Sequence, residues 1–294
     1  MKLRGRFAAT STAGMILAIS SLACAQKSIT PAVRTGYAPV NGLNLYYEIH
    51  GTGDPLILLH GGVGGIVMFG PNLTALSEKR KVIAVELQGH GRTADINRPL
   101  SFEAMADDIG ALIKYLGIEK TDVMGYSLGG GVALQTAIRH PGAVRKLVVV
   151  SAPFKRDGFY PEVLAVMAQM GPSAAKGMTQ SPLYQIYPNV NWARLFGKLG
   201  ELLRKDYDWS KEVAAIKAPT MIVFADADAV RTAHILEFFG VLGGGQKDAG
   251  LDGSGRPANQ LAILPGLTHY NISSAPGLAA VVTPFLDAPT ARPK

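Results

Sequence analysis

The chain has 294 residues, of which 48% are hydrophobic and 17% charged, and its formal charge is +7. That length can bury one sizeable core or two modest ones, and the apolar content excludes a disordered chain. Its Lys and Arg residues form no block of five or more, which gives nucleic-acid binding little support.

The first segment stands apart from the rest. "MKLRGRF" is basic, "AATSTAGMILAISSLA" is uncharged and mildly apolar, and "ACA" precedes Gln26. This pattern predicts a secretory signal over residues 1–25, cut after Ala25. The mature protein is then periplasmic or secreted, with no stable membrane span. Cys24 offers a second option, lipidation at the cut, but Ser21 stands where a lipobox usually has an aliphatic residue. Cleavage after Ala25 removes the single cysteine, and with it thiol catalysis, disulfides and cysteine metal sites. Losing Lys2, Arg4 and Arg6 takes the formal charge from +7 to +4.

After a linker, "YAPVNGLNLYYEIHG" alternates apolar and polar residues about Asn41-Gly42, which predicts a hairpin. "PLILLHGG" and "KVIAVEL" read as buried strands. Ser101 opens a predicted helix that carries Phe102, Met105, Ile109, Leu112, Ile113 and Leu116 on one face and stops at Gly117. "TDVMGY" is strand and "LGGGVALQTAIRHP" helix; "RKLVVVSAP", "APTMIVFADAD" and "NQLAILPG" are further strands. Strands apolar throughout that alternate with helices imply an α/β fold with a mostly parallel sheet, covered on both faces.

One segment breaks the alternation. Residues 154–217 carry no strand signal but hold Tyr160, Met167, Met170, Met178, Tyr184, Tyr187, Trp192 and Phe196. This predicts a helical cap inserted after the sixth strand, between two parts of the core at 26–153 and 218–294. The insertion leaves from the C-terminal end of a strand, where open α/β sheets place their ligands. Met and aromatic side chains there can line an adaptable apolar pocket.

The chemistry lies in "DVMGYSLGGGVAL". Gly125-Tyr126-Ser127-Leu128-Gly129 is G-x-S-x-G between a strand and a helix, the context that motif requires. A Cβ two positions to either side of Ser127 would collide within so tight a turn. A serine hydroxyl needs a base, and the base needs an orienting acid. Of the six histidines, only His269 follows the last strand, where a loop can reach Ser127. Asp226 and Asp228 both end the penultimate strand; Asp228 lies further into the loop and is the favoured acid, with Asp226 bracing the turn. The N–H of Leu128 and that of Gly62, or else of Val63, in "HGGVGG" are the candidate oxyanion donors. His60 reads as a brace for that loop.

Together "LLHGG", "VELQGHGRT", "GYSLGGGVALQTAIRHP", "KLVVVSAP", "APTMIVFADAD" and "LPGLTHY" resemble the α/β-hydrolase fold superfamily from about Tyr37 to Leu286. The likeness is greatest to its compact capped esterase, lactonase and cofactor-free haloperoxidase members. In that family the second Asp of a G-D-x-D-like segment is commonly the acid, which supports Asp228. Ala225, Glu86 and Thr93 depart from the family's usual Gly, Asp and Ser, all outside the three reacting residues. A serine at 127 argues against the branches whose nucleophile is an aspartate.

The resulting expectation is an exported serine hydrolase that cleaves a carboxylic ester or lactone with a hydrophobic part. It needs no cofactor and no metal. Tyr126, Val63, Tyr160, Met167 and Trp192 are expected to contact the substrate. The same three residues also suit C–C bond hydrolysis or perhydrolysis, and a non-catalytic binding protein on this fold is the remaining alternative. The glycine-rich stretch about 243–259 carries Asp248 and Asp252 at a spacing poor for calcium, and its "GGG" follows no strand, so neither a metal nor a dinucleotide is expected there.

Overall fold

The computed structural model describes residues 32–289; the leader expected over 1–25, with Cys24 and Ala25, lies outside them. The hairpin comes first, β1 (Arg34–Val40) and β2 (Leu43–His50). Asn41 and Gly42 join its strands with φ of 47° and 81°, the two positive angles that a type I′ turn needs. Six strands follow: β3 (Asp54–Leu59), β4 (Arg80–Val85), β5 (Thr121–Tyr126), β6 (Val144–Val150), β7 (Thr220–Ala227) and β8 (Gln260–Thr268).

All eight form one sheet in the order β1-β2-β4-β3-β5-β6-β7-β8. The pairs β1/β2 and β2/β4 are antiparallel, and every other pair is parallel.

The helices among the described residues are α1 (Pro71–Ser77), α2 (Phe102–Tyr115), α3 (Leu128–Arg139), α4 (Pro161–Ala168), α5 (Pro182–Ile186), α6 (Trp192–Leu203), α7 (Ser210–Ala214), α8 (Thr232–Val241) and α9 (Gly277–Asp287). Alternate side chains of the inner strands fall into two separate cores. Leu56, Leu58, Met124 and Val148 pack with Leu76 of α1 and Val282 of α9. Ile57, Leu59, Val123 and Val149 pack with residues of α2, α3 and α8 on the other face. That division explains why these strands are apolar at every position.

Ser101 caps α2, its Oγ accepting the Ala104 N–H at 3.0 Å, and Gly117 follows the helix at φ 66°.

The cap leaves the sheet after β6. Its two ends meet where the backbones of Lys155 and Asp208 pair, and the Trp209 N–H donates to the Phe154 carbonyl at 3.1 Å. α6 buries Trp192, Leu195, Phe196, Leu199 and Leu202 along one face. By contrast, α4 buries none of its residues. After the cap closes, α7 returns to the main layer and packs on α3 and α8.

Candidate active site

The site lies at the C-terminal ends of β5, β6 and β7. Ser127 sits between β5 and α3 with φ 53° and ψ −116°, a strained conformation for a residue with a side chain. Its N–H pairs with the Val150 carbonyl at 2.9 Å, which ties the turn to β6. The flanking glycines are required by contact. A Cβ on Gly125 would stand 1.9 Å from the Gly129 carbonyl oxygen, and one on Gly129 2.4 Å from that of Leu59. Strand and helix therefore meet backbone to backbone, leaving the serine hydroxyl projecting.

Three side chains from distant parts of the chain join in a line. Ser127 Oγ is 3.1 Å from His269 Nε2, and His269 Nδ1 is 3.0 Å from Asp228 Oδ1. The carboxylate sets the tautomer: Nδ1–H donates to Asp228, and Nε2 is left to accept the Ser127 hydroxyl proton. Asp228 has a side chain only 1% exposed. Burial alone would raise its pKa, but the hydrogen bond and charge of His269, the Ser151 hydroxyl and the Ala225 N–H outweigh it and hold the carboxyl below its ordinary value.

Three donors beyond His269 define the geometry of Asp228, one of them the Val230 N–H, which donates to Oδ1 at 3.2 Å. Ser151 Oγ donates to Oδ2 at 2.5 Å, and the Ala225 N–H donates to the same oxygen at 3.0 Å. Ser151 was not singled out from the sequence, although it stands in "VVVSAP" at the end of a strand. Asp226 points elsewhere: its carboxylate accepts the N–H groups of Gly266 and Leu267 at 3.0 and 3.2 Å, bracing β8.

Neither the Leu128 nor the Gly62 N–H donates to a protein acceptor among the described residues. Leu128 is the first residue of α3, so its N–H has no intrahelical partner. Val63 differs, because its N–H donates to His90 Nε2 at 3.3 Å and is therefore engaged. Val63 also holds φ 59°, uncommon for a β-branched residue. The neighbouring histidines are structural. His60 donates through Nδ1 to the Gly61 carbonyl at 2.7 Å and accepts the Leu87 N–H at 3.1 Å, and His90 donates to the Gln88 carbonyl at 3.0 Å. Burial pushes their imidazoles down to about 3 and about 4, so both remain neutral braces of the loop.

A cavity of about 470 Å³ opens on Ser127 and His269. Among its walls are Gly62, Leu128 and Phe102 from the core and Phe159, Met167 and Leu199 from the cap. Val63 and Met167 are also part of its lining. Tyr126 also lines it, but it is 3% exposed and its hydroxyl donates to the His269 carbonyl at 2.6 Å, so it holds the histidine loop.

Tyr160 and Trp192 require correction, since neither lines the cavity. Tyr160 is the N-cap residue of α4, where Pro161 starts the helix. Trp192 is buried in the apolar face of α6 as part of the core. Asp248 and Asp252 accept the N–H groups of Gly250 and Ser254 two residues on, shaping local turns.

Such an arrangement has the parts for nucleophilic attack: a hydroxyl on an imidazole, a carboxylate behind it, and two free N–H groups beside it. Residues 54–172 match the family model described as the alpha/beta hydrolase fold. A provisionally named carbamate hydrolase, RutD, of Azorhizobium caulinodans is 29% identical over 223 residues, 68% of this chain and 83% of that protein. The enol-lactonase from Burkholderia xenovorans superposes with a TM-score of 0.68 at 20% identity, covering 86% of this chain and all of the other. Carboxylesterase CesB from Bacillus subtilis gives 0.68 at 21% identity, over 87% of this chain and 92% of its own. At such identities the structural likeness speaks to the fold. The chain has the α/β-hydrolase fold.

Proposed function

We propose that this α/β hydrolase is a serine hydrolase that cleaves a carboxylic ester or lactone through an acyl-enzyme on Ser127. The observation that carries this reading is the line Ser127–His269–Asp228, opening onto an apolar cavity beside the free N–H groups of Gly62 and Leu128. Ser127 Oγ attacks the carbonyl carbon as His269 Nε2 takes its proton. The carbonyl oxygen becomes an oxyanion that Gly62 and Leu128 can hold, and Asp228 stabilises the imidazolium. His269 then gives the proton to the leaving alkoxide oxygen. A water molecule, deprotonated by the same imidazole, releases the acid and restores the serine.

Export belongs to the same proposal and rests on the basic and apolar leader before Gln26. Among the described residues no helix is long and apolar enough to cross a membrane. Fractionation of cells that make the full chain tests export: recovery of the protein uncleaved in the cytoplasm refutes it.

The activity is tested with p-nitrophenyl esters of graded acyl length, with Ser127→Ala as control. Turnover that vanishes in the variant supports the reading. A folded wild-type protein that cleaves no ester and no lactone would overturn it.

A further inference from the structure

Among the residues lining the cavity, Arg156 carries the only permanent positive charge. Nothing in the chemistry proposed for Ser127 uses it. It stands at the root of the cap, where its backbone N–H donates to the Tyr207 carbonyl at 3.0 Å. Its side chain is a fifth exposed and is anchored on one side only, Nε donating to the Leu203 carbonyl at 2.8 Å. Leu203 and Tyr207 line the same cavity, so the guanidinium is fixed by the wall itself.

The outer edge of the guanidinium is less committed. Nη1 reaches Asp206 at 3.3 Å, long for a charge-assisted bond, and that aspartate is 92% exposed. An ion pair with so solvated a partner is weak and easily exchanged. Nη2 has no hydrogen-bond partner among the described residues. The other permanently charged side chain of the lining, Glu162, is exposed to solvent. The rest of the lining is chiefly apolar, with Phe102, Phe159, Val163, Met167 and Leu199 in it.

A fork with one edge fixed and the other available suits a carboxylate, which accepts two parallel N–H bonds. Apolar walls suit a hydrocarbon spacer and offer no other group to hold an anion. We infer that Arg156 is a specificity-determining residue, and that the ester or lactone cleaved by this chain carries a carboxylate separated from the scissile carbonyl by an apolar spacer. The inference rests on the serine hydrolase reading above and names its substrate class.

The test compares p-nitrophenyl hexanoate with mono-p-nitrophenyl adipate, whose acyl groups match in carbon number and differ in the terminal carboxylate. The octanoate and suberate pair extends the series. The measured quantity is the ratio of kcat/KM for the acidic ester to that for the neutral one. Wild type is expected to favour the acidic ester. Arg156→Gln is expected to lower the ratio about tenfold or more, chiefly through KM, and Arg156→Lys to restore part of it. An equal ratio in wild type and Arg156→Gln, both folded by circular dichroism, overturns the inference.

A calorimetric titration of the Ser127→Ala protein with monomethyl adipate reads the same contact without turnover. Binding that Arg156→Gln abolishes, in a protein that cleaves no ester, would keep the carboxylate site while the hydrolase reading fails. Ester cleavage without Arg156-dependent binding would do the reverse.

Discussion

Ser151 Oγ donates to Asp228 Oδ2 at 2.5 Å from a residue held at φ 50° and wholly buried. The two come from neighbouring strands, just past the ends of β6 and β7, so the bond sets the carboxylate plane that His269 meets. Under the proposed mechanism Ser151 is a positioning residue. Ser151→Ala removes a charge-assisted bond worth roughly 1.5–3 kcal/mol. The expected outcome is a fall in kcat of about tenfold or more with KM little changed, measured by steady-state ester hydrolysis.

The two aspartates at the end of β7 allow a controlled comparison. Asp228 meets His269, whereas Asp226 bonds only the backbone of Gly266 and Leu267. Asp228→Asn leaves the shape but loses the charge opposite the imidazolium and permits the wrong tautomer. A loss of kcat on the order of a thousandfold or more is expected. Asp226→Asn is expected to retain most of the activity and to alter chiefly thermal stability. Equal losses from the two substitutions would refute the assignment of roles.

Local features were readable in the chain because their causes are local. The Asn41-Gly42 hairpin, the Ser101 cap and the glycines about Ser127 each follow from backbone geometry within a few residues. His269 was legible by elimination, as the histidine beyond the last strand. Ser151 was not, because its partner is 77 residues away and the contact exists only once β6 and β7 lie side by side. His90 was hidden for the same reason, its ring accepting the N–H of a residue 27 positions earlier. Trp192 and Tyr160 were misplaced because an aromatic-rich segment does not reveal which of its faces is core. α9 has no side-chain cap and carries Pro284 within it, which masks the usual start and continuation signals of a helix.

Gly125 tests whether the close meeting of strand and helix is obligatory. The atom that an added Cβ would strike is the backbone oxygen of Gly129, which cannot swing aside as a side chain can. Gly125→Ala must therefore separate β5 from the first turn of α3 or distort the turn at Ser127. A stability loss of about 3 kcal/mol or more is expected from denaturant unfolding. Unchanged stability with unchanged activity would show that the turn has room the geometry denies.

Acid should destabilise this protein before its carboxylates are titrated. Burial pushes His60 to about 3, and His90 and His234 to about 4. In the unfolded chain each returns to the ordinary value near about 6.5. Between these limits the unfolded state binds more protons than the folded state, so stability rises with pH. It is full above about pH 6.5 and is lost as pH falls towards 4, by up to roughly 1.4 kcal/mol per histidine per pH unit. Asp54, Asp107 and Asp228, held below their ordinary values, add their own loss only at lower pH. His234 offers a test, since it is 1% exposed and stacks on Phe154 at 4.4 Å, and burial outweighs the Glu237 carboxylate 3.4 Å from its Nδ1. His234→Phe keeps the stacked ring and removes the titration. Thermal melts at pH 7 and pH 5 should show a large drop in wild type and a smaller one in this variant; equal drops would mean that His234 stays neutral in both states or protonates without cost.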